Sequence, residues 1–168
     1  AHELIRSLNI EQQGLWVELR TKLEEAGVTV ASYDSLGAEE QAWLREDNLD
    51  NIFPLVTPQA MDPAHPFPFV SNLSLNLLVS LQYPNDPTPL MARVKVPVSK
   101  DVSKRLIQVD GLNTFVTLDD LIVNNLDMLF PGMEIVDCEL LRVTRNANVS
   151  SSEEHAEDLL AVIETALQ

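Results

Sequence analysis

The residues of this chain that could do chemistry are few and scattered. Histidine occurs at His2, His65 and His155. His2 stands at the start of a helical pattern, and His155 in an acidic first helical turn, where a solvated imidazole is the ordinary outcome. His65 is wedged among prolines in DPAHPFP. To act as a general base it needs a nucleophile or an orienting acid, and no motif supplies either. There is no HExxH, no Cys/His cluster and no cysteine pair, so a metal site has no support. Glycine-rich phosphate loops are absent, as is GxSxG, and five glycines leave little backbone for a phosphate cradle. The acidic pairs Asp119-Asp120 and Glu153-Glu154 read as helix starts. We therefore expect no catalytic, cofactor-binding or metal-ligating residue in this chain.

Two basic groups remain. Arg142 and Arg145, in LLRVTRNAN, fall at a strand end and in the loop after it. A guanidinium there holds a carboxylate or phosphate with two parallel hydrogen bonds, which makes both residues candidates for an interface or anion contact. The competing reading is a salt bridge to one of the chain's many acids. Lys100, Lys104 and Arg105 form a second cluster, read as a solvated loop face.

The elements that must position these residues come from one domain of 168 residues, long enough to bury a core. A net charge of −15 repels phosphate backbones and anionic lipids at long range, which argues against nucleic acid or a membrane surface as partner. No apolar run is long enough to span a bilayer, and no signal sequence opens the chain. It opens on Ala1 directly in a helical pattern, as a piece cut from something longer would. The single cysteine, Cys138, fits a small buried apolar side chain in a reducing compartment. The cytoplasm is the expected location.

Residues 3–26 place Leu4, Ile5, Leu8, Leu15, Trp16, Leu19 and Leu23 at helical spacing, ended by Gly27. Trp16 and Trp43 are expected as core anchors. Val28–Val30 is a short strand candidate, and a helix over 38–48 follows Asp34 or Ser35. Prolines 54, 58, 63, 66 and 68 then brace a loop. Beyond it, alternation over Leu73–Tyr83 and Leu90–Val96 predicts an antiparallel hairpin joined by PNDPTP. Asp110-Gly111 predicts a second hairpin. Thr117 should cap a helix running to about Leu129, stopped by Pro131-Gly132. Ile135–Thr144, apolar on both faces, is expected in the sheet interior, and a last helix should begin after Ser151. The order predicts an α+β fold, a mainly antiparallel sheet flanked by helices.

The stretch IFPLVTPQAMDPAHPFPFVSNLSLNLLV resembles the signature of bacterial polyphosphate kinase of the type that synthesises long chains. A second block, FVTLDDLIVNNLDMLFPGMEIVDCELLRVTRNAN, is similar to a later run of the same family. Gln59 departs from the leucine usual after Thr-Pro. The resemblance implies that residues 1–168 are a single head (middle) domain with a phox-homology-like fold, and that the catalytic domains are absent from this chain. In the family, ATP and magnesium serve a phosphorylated histidine in those catalytic domains, so no cofactor is expected in this fragment, and His65 is not that histidine. Its partners would be other domains of the same polypeptide and, in a homo-oligomer, a second subunit. It would contribute dimer contacts and frame the polyphosphate tunnel. The alternative is a free-standing phox-homology-like module for a phosphorylated ligand or protein partner, which needs clustered basic residues.

Overall fold

A computed structural model describes residues 2–61, 70–98 and 104–144. The chain begins with a 24-residue helix, α1 (His2–Glu25). Gly27, at φ 79, ends it: its N–H donates to Glu24 O at 3.0 Å, and the Val28 N–H to Leu23 O at 2.9 Å. That left-handed cap satisfies two terminal carbonyls. The expected apolar stripe is present but uncovered. Leu4, Leu8, Leu15 and Leu19 are exposed, and Trp16, expected as a core anchor, is 44% exposed. Helical period identifies the face a helix would bury, not whether anything reaches it. Trp43, by contrast, is half-buried against the core.

After β1 (Thr29–Val30) the chain makes a 3-10 turn at Tyr33–Ser35 and enters α2 (Ala38–Asp47). Neither Asp34 nor Ser35 caps α2. Gly37 occupies the cap, and its N–H donates to the Glu40 carboxylate at 2.8 Å. A π turn (Asn48–Ile52) and a 3-10 turn (Phe53–Leu55) lead into the proline-rich stretch. Part of that stretch, expected as loop, is the strand β2 (Pro58–Met61). Its proline stands at the first residue, on an edge strand, where a missing N–H is tolerated. Residues 62–69, His65 among them, lie outside the described residues.

The expected hairpin is formed by β3 (Leu75–Tyr83) and β4 (Asp86–Lys95), paired antiparallel. Tyr83 stands opposite Asp86, so the turn is only Pro84-Asn85, and Pro87 and Pro89 fall within β4. They lie beyond Met91–Val94, the stretch that pairs with β2, and so interrupt no ladder on that side. Strand β3 starts two residues later than alternation suggests. Leu73 has φ 61 and closes a turn in which Ser74 N–H and Oγ both donate to Ser71 O. For a leucine that backbone conformation costs about 1–2 kcal/mol.

The second hairpin, β5 (Leu106–Gln108) with β6 (Thr114–Thr117), turns through Asp110 and Gly111, both at positive φ. With β1, parallel to β6, it makes a three-stranded sheet. Thr117 caps α3 (Leu118–Val123) by accepting from the Asp120 N–H at 3.4 Å. The single helix expected to Leu129 is broken, and resumes as α4 (Leu126–Leu129). The Asn124 side-chain amide donates to Asp120 O at 3.0 Å, and that of Asn125 to Leu121 O at 2.8 Å. Asp120 O also accepts the Asn124 backbone N–H at 3.1 Å, whereas the Asn125 backbone N–H turns to Ile122 O and its side-chain amide takes the Leu121 carbonyl that a continuing helix would use.

β7 (Glu134–Arg142) pairs antiparallel with β3, giving the sheet order β2-β4-β3-β7. It was expected in the sheet interior and stands instead at an edge among the described strands, with Val136 and Leu140 exposed. Apolar residues on both faces describe what covers a strand above and below, and say nothing about which neighbours it pairs with. The helix expected after Ser151 lies outside the described residues. The α+β class holds, with β1·β6 the parallel exception.

The core joins Leu77, Val79 and Leu81 of β3 and Ala92 and Val94 of β4 to Leu118, Leu121, Ile122 and Leu126. Polar ties fix the periphery. The Tyr33 N–H donates to Asp120 at 2.7 Å, and Arg45 makes a two-pronged bridge to Asp127 at 2.5 and 3.0 Å. Arg45 holds the Asp127 carboxyl below its usual range.

Two measurements check this arrangement. Leu77→Ala, at a fully buried site, should cost about 2–5 kcal/mol in denaturant unfolding. Asp127, with its folded pKa depressed, stabilises above the unfolded carboxylate value of about 3.9, and that contribution is lost as pH falls through the lower folded value. Because the pair is partly exposed, Asp127→Asn should cost under about 1 kcal/mol at pH 7 and reduce the loss of stability below about pH 4.

Candidate functional site

The first residues of β3 are clamped on both sides. The Val96 N–H, just past β4, donates to Leu75 O at 3.0 Å. The Leu73 N–H donates to Val143 O, just past β7, at 2.8 Å. These bonds bring the ends of β4 and β7 beside the turn at residues 71–75. Lys95 stands opposite Asn76, and Arg142 opposite Leu75. Because one strand separates them, their backbones are roughly 10 Å apart.

A cavity of about 410 Å3 opens across this end of the sheet, lined by the 71–75 turn, Val96 and Val98. Three cations line it: Lys95, Arg142 and Arg105. No acidic side chain is among its described lining residues. Arg105 lies within 3.4 Å of Asp119, in the first turn of α3. Lys95 and Arg142 form no ion pair with a described carboxylate. A neighbouring cavity of about 360 Å3 shares Lys95, Val96 and Val98 and adds Arg93 and Gln59. Arg93 is buried, its guanidinium pushed below the ordinary value by desolvation, and it donates to Gln59. The residue that departs from the family pattern thus partners a buried arginine.

Of the sequence candidates, Arg142 is in the cavity and Arg145 lies outside the described residues. Lys95 and Arg105 were not foreseen here. In sequence, Lys95 reads as an ordinary outward residue of an alternating strand, and Arg105 as part of a solvated loop face with Lys100 and Lys104. Only their long-range placement marks them. Asp119 and Asp120 serve as ties, to Arg105 and to the Tyr33 backbone. His155 lies outside the described residues. Among the described residues no group of three His, Cys, Asp or Glu side chains could hold a metal ion.

Residues 39–168 match the family described as the polyphosphate kinase middle domain. The chain belongs to that family. A polyphosphate kinase from Synechocystis sp. is 44% identical over 158 residues, which cover 89% of this chain and 22% of that relative. One from Erythrobacter litoralis is 39% identical over 98% of this chain and 22% of its own length. The crystal structure of polyphosphate kinase from Porphyromonas gingivalis superposes with a TM-score of 0.73 at 26% identity, covering 84% of this chain and 24% of that one. The chain thus spans about a fifth of the length of the curated polyphosphate kinases it matches. Among the described residues, no helix of this middle domain is long and apolar enough to cross a membrane.

Cys138 is half-buried in β7 against the core, and its thiol is pushed up to about 11 by burial first and then by Asp137 and Glu139. The thiol stays protonated at neutral pH, and the thiolate is the reactive form. Alkylation by iodoacetamide at pH 8 should therefore run at least about tenfold slower than for an unstructured cysteine peptide, and approach the peptide rate in denaturant.

Proposed function

We propose that this chain is a non-catalytic middle domain of an enzyme that transfers the terminal phosphate of ATP to polyphosphate. In that enzyme it contributes contacts between domains and subunits and frames the passage for the polyphosphate chain. The middle-domain match over residues 39–168 carries the reading. ATP and magnesium would be held by the other domains of that enzyme. Helix α1 lies ahead of the matched span and exposes a stripe of leucines and Trp16. Exposed apolar surface of this kind marks protein interfaces, and here it would rest on another domain or on a second subunit. A cytoplasmic location, where ATP is made, completes the reading.

The isolated 168-residue chain should show no magnesium-dependent ATP turnover, whereas the full-length enzyme should make polyphosphate. Leu15→Glu with Leu19→Glu should lower activity or oligomer mass in the full-length enzyme while leaving the melting temperature of the isolated chain almost unchanged. ATP turnover by the isolated chain that disappears in a His65→Ala variant would overturn the non-catalytic role.

A further inference from the structure

We propose that the outer edge of β7 is guarded against strand addition by a second copy of this chain, and that Asp137 and Glu139 are the guards. Among the described strands β7 pairs only with β3 and stands at the end of its sheet. The direction of its free backbone groups follows from the ladder. Leu75 O accepts from the Val96 N–H on the β4 side, so alternation turns Asn76, Leu78 and Ser80 toward β7. Their opposite residues, Leu141, Glu139 and Asp137, turn inward, and Cys138, Leu140 and Arg142 turn their N–H and C=O groups outward. Nine residues long, with Val136 and Leu140 exposed, such an edge is a template for a second strand.

The sequence of β7 is nearly self-complementary about Cys138. An antiparallel copy centred there brings outward-facing backbone against outward-facing backbone, sets Val136 against Leu140, and sets Glu134 against Arg142. Three features oppose that register at its middle. It sets Asp137 against Glu139 of the other copy twice, in the non-hydrogen-bonded pairs where side chains stand closest. The Cys138 N–H, which the central pair needs, already donates to the Asp137 carboxylate at 2.8 Å. The register shift beside Ser80 and Leu81 leaves Val136 as an extra residue without a partner on β3, a bulge that bends the edge. Replacing both acids removes the repulsion and the cap together, and leaves the apolar and the Glu134–Arg142 matches in place. The two carboxylates thus keep apart a sheet edge that its apolar residues would otherwise join to another.

Sedimentation equilibrium tests the edge, on the 168-residue chain carrying Leu15→Glu and Leu19→Glu to take the α1 stripe out of any association. In that background Asp137→Thr with Glu139→Thr should tighten self-association by about tenfold, the scale of two like-charge cross-strand pairs relieved. Adding Leu140→Lys should reverse the gain, which a merely destabilised and aggregating fold would not show. Glu39→Gln with Glu46→Gln, two exposed acids of α2, should leave association unchanged. Should the threonine pair fail a melting check, Asp137→Asn with Glu139→Gln, which keeps both side-chain shapes, is read in the same way. Unchanged association of the folded variant, a gain that survives Leu140→Lys, or an equal gain from the α2 pair overturns the proposal.

Discussion

The structure depends on β3 being enclosed. Leu77 and Val79 are fully buried, and so is Asn76, which points to the opposite face of the same strand. Strands β4 and β7 pair along its two edges. A strand closed on both edges and both faces has no register freedom, because a one-residue slip would exchange Leu77 and Val79 for Asn76 and Leu78 on the core side. From that fixed register follow the positions of Lys95 and Arg142, which lie opposite neighbouring residues at the start of β3. The basic cavity is thus a consequence of how the sheet is aligned, although its residues are far apart in sequence.

Around the enclosed strand, the polar ties do a different job from the core. Burial of the leucines and valines supplies the driving force and has no direction. The Arg45–Asp127 bridge, the Asn124 and Asn125 amides and the Asp120–Tyr33 bond are directional, and they set where helices stop and which turn meets which helix. The interruption between α3 and α4 shows the division of labour. Apolar spacing through Leu118, Leu121, Ile122 and Leu126 continues across it, while the Asn125 side-chain amide takes the Leu121 carbonyl in place of the next backbone N–H. Leu126 and Phe130 can then turn into the core along a new direction.

Chemically, the molecule sorts its charge. Acids dominate the chain as a whole, yet one end of the four-stranded sheet gathers cations without acids among the described cavity residues. Helix α1 adds a second unpaired feature, an apolar stripe lying outside the span matched to the middle-domain family. Both features stand in a chain that spans about a fifth of the length of its polyphosphate kinase relatives.

By itself the sequence determined whatever rests on local chemistry. Period-two alternation located the β3–β4 hairpin, Gly27 and Thr117 set helix ends, and the ordered signature identified the family, because backbone propensities and short motifs act within a few residues. Tertiary structure decided what depends on distant partners. It put β7 at an edge, left Trp16 and the α1 leucines uncovered, and drew Pro58–Met61 into the sheet. It also took Lys95 and Arg105 from unremarked positions into one cavity with Arg142. Neither residue differs locally from an ordinary solvated cation. The pairing of β3 with β4 places Lys95, whereas Arg105 is placed by the other sheet and by α3, its carbonyl accepting from the Leu118 N–H and its guanidinium lying beside Asp119.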